Sequence, residues 1–95
     1  MDGIIDKSLE VASVLKTLGH PKRLLILCFL KDGEKTVGEL EALSQTAQSQ
    51  ISQFLKRMEY EGIVENRRDG NHVYYSITDK RILKLMNQLD LIYCS

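Results

Sequence analysis

Two groups of residues in this 95-residue chain carry side chains able to do chemistry. The first is a run of amides and hydroxyls, Gln48-Ser49-Gln50 followed by Ser52-Gln53. A glutamine amide matches the major-groove edge of adenine with two hydrogen bonds, while serine bonds to bases or phosphates. Lys56 and Arg57 follow directly, and Arg67, Arg68, Asn71 and His72 gather around the dipeptide Asp69-Gly70. Such donors suit a phosphate backbone or a minor groove. Each also has a plainer reading: a solvated polar helix face for the amides, surface charge for the cations, and for Arg57 and Lys56 a favourable place at a helix end. The second group is a pair of thiols. Cys28 lies within Ile26-Leu27-Cys28-Phe29, where a small apolar core residue is common, and Cys94 stands one residue from the end as an exposed thiol.

The elements that position these groups can be read from periodicity and turn chemistry. Residues 36–77 have the order of a helix-turn-helix followed by a wing, a device that lays one helix in the major groove. Thr36 and Glu39 form a T-x-x-E capping box that opens a short helix with Leu40 and Leu43 inward. Ser44-Gln45-Thr46 is the break, with Thr46 placed to cap the fourth helix. In that helix Ile51, Leu55 and Met58 recur at i, i+4 and i+7, which leaves Gln48, Ser49, Ser52, Gln53 and Lys56 outside. Gly62 ends it. Strands at 64–68 and 73–77 flank Asp69-Gly70-Asn71, a strong hairpin signal.

Around this segment lie three further helices. Residues 4–18 place Ile4, Val11, Val14, Leu15 and Leu18 on one side and Ile5, Leu9 and Ala12 on a second, an arc broad enough to meet two neighbours. Gly19 closes this helix, and Pro21 suits the first turn of the next, which runs to about residue 31 and stops at Asp32-Gly33. Thr78 or Asp79 caps a last helix bearing Ile82, Leu85, Met86, Leu89 and Ile92 over nearly half its circumference. Oversized apolar arcs on both terminal helices predict a dimer layer. The expected fold is therefore mostly α with a small β-hairpin, a winged helix-turn-helix in the order α1-α2-α3-α4-β-β-α5, forming one domain over residues 1–95 and a homodimer through α1 and α5.

Composition bounds the partners. Apolar residues make up 43% and charged residues 27%, ordinary for a water-soluble chain. No apolar run reaches membrane-spanning length, and MDGIIDKSLE lacks a signal-peptide layout, so a cytoplasmic protein is expected. Thirteen basic and thirteen acidic side chains cancel. Between residues 47 and 77, Lys56, Arg57, Arg67 and Arg68 are matched by Glu59, Glu61, Glu65 and Asp69, so a nucleic-acid partner requires the charge to be segregated onto one surface. A catalytic reading would make Cys28 a nucleophile with His20 or His72. Burial raises a thiol pKa, however, and neither histidine comes with an evident orienting carboxylate, so no enzyme is expected.

Several motifs together resemble the ArsR/SmtB winged-helix repressors. They are Leu18-Gly19-His20-Pro21-Lys22-Arg23-Leu24, Val37-Gly38-Glu39-Leu40, Ser49-Gln50-Ile51-Ser52-Gln53-Phe54-Leu55, Gly62-Ile63-Val64 and Gly70-Asn71-His72-Val73-Tyr74-Tyr75. The resemblance runs from about residue 11 to residue 94. It implies a homodimer joined by the first and last helices that binds double-stranded, pseudo-palindromic operator DNA through the fourth helix and the wing, and leaves it when an inducer is sensed. Two departures matter. Ala47 stands where members often have Ser, which passes capping to Thr46, and Phe54 stands where many have His, so Phe54 packs rather than contacts DNA.

Metal-sensing members resemble one another in a third-helix C-x-C type motif or in Asp/His/Glu pairs on the last helix. Lys35-Thr36-Val37-Gly38 carries no thiolate, and the last helix has Asp79 and Asp90 but no histidine; His20 and His72 read as capping or surface residues. No metal and no cofactor are expected at those positions. Cys28 and Cys94 together resemble the cysteine pair of the thiol- and persulfide-sensing members, one on the second helix and one ending the last, and Leu91-Ile92-Tyr93-Cys94 fits that subgroup. The resemblance implies a reduced dimer that binds DNA until an oxidant or reactive sulfur species links the two thiols. The alternative is a winged helix that is not thiol-switched and answers another inducer or a protein partner.

Overall fold

The structure, a computed structural model, describes residues 2–94. Its elements are α1 (Asp2–Leu18), α2 (Pro21–Leu30), β1 (Lys35–Thr36), α3 (Val37–Ser44), α4 (Gln48–Tyr60), β2 (Val64–Asp69), β3 (His72–Ile77) and α5 (Lys80–Tyr93). Five helices and a hairpin follow one another in the order the sequence predicts. The addition is β1, which pairs Lys35 with Tyr75 and Thr36 with Tyr74, so the sheet has the order β1-β3-β2. A two-residue strand carries no alternation of its own, and Thr36 has the chemistry of a helix cap. It is both.

Local chemistry explains most boundaries. His20 caps α2 by accepting a hydrogen bond at Nδ1 from the Lys22 N–H at 3.2 Å, and Pro21 occupies the first turn where its missing N–H costs nothing. The capping box of α3 is complete: Thr36 Oγ1 accepts from the Glu39 N–H at 3.1 Å, and Glu39 Oε1 from the Thr36 N–H at 2.9 Å. Asp79 caps α5, accepting from the Arg81 N–H at 2.9 Å. The hairpin strands reach one residue further toward the tip than expected, with Asp69 paired to His72. That leaves a two-residue turn, Gly70-Asn71, in which Gly70 has φ +63°, the positive value such a turn needs at its first position.

Two expectations are corrected. Thr46 does not cap α4; its buried hydroxyl turns back and donates to the Ser44 carbonyl at 3.2 Å, leaving Ala47 as an N-cap without a side-chain bond. The cap comes from α3 instead, where Glu41 Oε2 accepts from the Gln48 N–H at 3.2 Å. Leu43 is not inward but 48% exposed. Ser44 is buried in its place, satisfied by donating to the Leu40 carbonyl at 2.6 Å, because α3 is short and turns its other side to the core. The broad apolar arc of α1 lies mostly outside the chain's own core. Leu18 is buried and Val14 packs against the core, whereas Ile4, Ile5, Leu9, Val11 and Leu15 are exposed.

The core is built by α2 (Ile26, Leu27, Leu30), α3 (Leu40), α4 (Ile51, Leu55, Met58), the Ile63-Val64 entry into β2, and α5 (Ile82, Met86). The three α4 side chains are completely buried. At about 2 kcal/mol each, they hold the helix more firmly than its polar-rich composition could. Phe54 packs against this core as expected, with its ring centroid 4.8 Å from that of His20. Core packing thus fixes the orientation of α4 and leaves its polar residues outside. Among the described residues, no helix is long and apolar enough to cross a membrane.

Candidate nucleic-acid interface and thiol pair

The outer face of α4 carries Gln48, Ser49, Gln50 and Gln53, all exposed, and Ser52, half-buried. Among the described residues none of their side chains is committed to a hydrogen bond, while the backbone N–H of Gln48 is held by Glu41. Lys56 is exposed and unpaired among the described residues, while Arg57 approaches Glu61 at 3.8 Å. A helix fixed by three buried residues and presenting five uncommitted amides and hydroxyls has the form of a base-reading surface.

The wing is arranged differently from the sequence expectation. Strand alternation sends Arg67 and Arg68 to opposite faces of β2. Arg68 makes no ion pair among the described residues, and Asn71 and His72 are exposed at the tip. Arg67 is engaged. Glu34, in the α2–β1 connection, grips it with both carboxylate oxygens, at 3.2 Å to Nε and 2.5 Å to Nη2. Asp69 lies 3.7 Å from its Nη1, and its guanidinium carbon sits 4.8 Å from the Tyr74 ring centroid. The pair holds the Glu34 carboxyl below its usual range and pushes the guanidinium up. The hairpin is braced to α4 by Asn66, whose amide donates to the Glu59 carboxylate.

The structure brings the two cysteines together. Cys28 is half-buried on α2 and Cys94 exposed at the C-cap of α5, where its N–H bonds to the Asp90 carbonyl at 2.8 Å. Both are free thiols, and both line one cavity of about 210 Å³ with Leu24, Leu89, Asp90 and Tyr93. Burial raises the Cys28 thiol pKa, a charged Cys94 would raise it further, and the Lys31 ammonium opposes them. Lys31 itself pairs with Asp32 at 3.0 Å and approaches Asp90 of α5 at 3.9 Å. Two cysteines 66 positions apart in sequence therefore share a surface. Among the described residues no three His, Cys, Asp or Glu side chains converge as a metal cluster would.

Several members of these sites escape sequence reasoning. Glu34 and Arg67 are 33 residues apart with no local pattern joining them. The Glu41 cap leaves one trace, the absence of a capping side chain at Ala47. Lys31 and Asp90 read as ordinary surface charges until α2 and α5 are packed.

Comparison with known proteins agrees with this arrangement. Residues 20–66 match the family described as "Bacterial regulatory protein, arsR family". The chain is 43% identical over 86 residues to the Biofilm growth-associated repressor of Xylella fastidiosa, covering 90% of this chain and 75% of that protein. The crystal structure of the repressor BigR from Xylella fastidiosa superposes with a TM-score of 0.91 at 39% identity, covering 99% of this chain and 96% of that one. Reduced HlyU from Vibrio cholerae does so with a TM-score of 0.92 at 29% identity over the full length of both. These relatives are regulators of transcription rather than enzymes. With a winged helix-turn-helix whose fourth helix is fixed from the core, and with relatives matched along most of its length, this chain belongs to the ArsR family of DNA-binding transcriptional regulators.

Proposed function

We propose that this regulator is a cytoplasmic repressor that binds pseudo-palindromic operator DNA as a homodimer, and that Cys28 and Cys94 decide when it lets go. The observation that carries the switch is the shared cavity: two free thiols, one from α2 and one at the end of α5, line it together with Leu24, Leu89, Asp90 and Tyr93. The repressor direction is supported by the name of the Xylella relative. A solved relative described as reduced HlyU supports a redox-dependent form in that protein.

The whole of residues 1–95 acts as one DNA-binding domain in this reading. Gln48, Ser49, Gln50, Ser52 and Gln53 read bases, while Lys56, Arg57, Arg67, Arg68, Asn71 and His72 hold phosphates or enter the minor groove. The two α4 helices of a dimer must match half-sites about 34 Å apart. A dialkyl disulfide or polysulfide supplies the oxidation: two thiols lose two protons and two electrons, one Cys28–Cys94 bond forms, and the oxidant's S–S bond is reduced to two thiols. With a polysulfide, sulfur can remain in the bridge. Either link ties α2 to α5. If α5 also forms the dimer layer, a displacement of about 1–2 Å there alters the α4 spacing and costs several base contacts at once.

The test combines intact-mass spectrometry with mobility shift on the DNA upstream of the protein's own gene. Wild type treated with a glutathione polysulfide should lose two hydrogens, with or without added sulfur, and release the DNA. Cys28→Ser and Cys94→Ser should remain bound. A Cys28→Ser protein that releases DNA normally under the same treatment sinks the switch.

A further inference from the structure

The Glu34–Arg67 pair has the geometry of a phosphate contact already filled. Two oxygens of one carboxylate face two nitrogens of one guanidinium, the same fork with which arginine grips a phosphodiester. The sheet order β1-β3-β2 puts β3 between the partners, so the Arg67 side chain crosses over the Tyr74 ring to reach the residue just before β1. Both partners are exposed, Arg67 by 52% and Glu34 by 40%, so neither is trapped by burial. An exposed pair of this kind contributes little to stability, and exchanging its carboxylate for a phosphate involves a similar set of bonds. The exchange has a driving force that the pair lacks, the release of counterions condensed on DNA. On the other face of β2, Arg68 has no such partner among the described residues.

Resting on the DNA-binding reading above, we propose that Glu34 is a positioning residue of the wing: it holds Arg67 extended over Tyr74 in the free protein and yields it to a backbone phosphate when DNA arrives. Glu34 then tunes the affinity of binding without touching DNA, while Arg67 carries the salt dependence. The neutral overall charge follows the same logic, since an arginine masked by a carboxylate does not bind stray polyanions until a duplex is close enough to displace it.

The experiment is a double-mutant cycle of Glu34→Gln and Arg67→Ala, read by fluorescence anisotropy on a mixed-sequence duplex of about thirty base pairs across a salt series. Phosphate contacts act on any sequence, so the operator need not be known. Glu34→Gln should bind about two- to fivefold more tightly, the range expected from freeing one exposed charge. Arg67→Ala should bind more weakly and lower the log–log salt slope by about 0.9 per protomer. The double variant should match Arg67→Ala, because Glu34 acts through Arg67. Circular dichroism melting of each variant should stay near wild type.

Other results overturn the proposal. Glu34→Gln binding like wild type, or weakening in parallel with Arg67→Ala, would make the pair a bystander or a structural brace. A double variant that binds more tightly than Arg67→Ala would make Glu34 a general repulsive charge. A wild type with no salt-dependent duplex binding would remove the DNA-binding reading itself, a failure distinguishable from the others.

Discussion

At the residue scale, the two thiols differ in ways that set their order of reaction. Cys94 is exposed, whereas Cys28 sits half-buried against Leu24 and Leu89 with its thiol pKa raised first by burial and then by Cys94. The thiolate is the nucleophile, and burial leaves Cys28 with less of it at neutral pH than an ordinary thiol holds, and hides what it has. Limiting iodoacetamide followed by peptide mapping should therefore label Cys94 well before Cys28, and the lag should shrink as pH rises toward the raised value. Equal labelling at neutral pH would contradict the burial argument. The same shift has a stability consequence. The folded protein holds the Cys28 proton more tightly than the unfolded chain, so that contribution is complete below the ordinary thiol range and is lost as pH climbs through the raised value. Both cysteines can be seen in the sequence. Their sharing of a cavity cannot, because it depends on how α5 returns across α2.

At the element scale, one arginine joins both terminal helices. Arg81 Nη1 meets Glu10 of α1 at 2.7 Å, while its Nε and Nη2 meet Asp79, the cap of α5, at 3.3 and 3.2 Å. Hydrogen bonds to Arg81 hold both carboxyls below their usual range. Lowered folded values mean that the stabilisation is complete above the ordinary carboxylate range and lost as pH falls through the lowered values. Urea unfolding midpoints should accordingly fall more steeply between neutral and acid pH in wild type than in Arg81→Ala, which should also be less stable at neutral pH. Parallel curves would show that the cluster is only a surface ornament. This clamp illustrates what local pattern can and cannot reveal. The Asp79 cap is readable because it acts on its own first turn, and the Thr36 box for the same reason. The Glu10–Arg81 bond joins residues 71 apart and needs tertiary packing. The α4 cap fails for a related cause: Thr46 has the right chemistry one residue too early, and its hydroxyl is used up by the buried α3–α4 corner.

At the scale of the whole molecule, the terminal helices leave large apolar side chains exposed among the described residues. Ile4, Ile5, Leu9, Val11 and Leu15 on α1 are joined by Ile92 and Tyr93 on α5, all between 42% and 80% exposed except Leu9 at 86%. A small domain rarely tolerates so much large apolar surface in water, and a second copy would cover it symmetrically. The breadth of these arcs was readable in sequence, which is why a dimer layer was expected. What periodicity could not distinguish is a helix buried within its own chain from one left for a partner, since both show the same pattern. Leu9→Glu together with Ile92→Glu separates these cases, because both side chains point away from the chain's own core. In the proposed dimer, the double variant should keep its helical circular dichroism yet sediment as a monomer. Its duplex affinity should fall far below wild type, because one protomer can occupy only one half-site and loses about half of the phosphate contacts. If the variant remains dimeric with unchanged affinity, the interface lies elsewhere. A link between Cys28 and Cys94 would then have no route through α5 to the spacing of the two α4 helices.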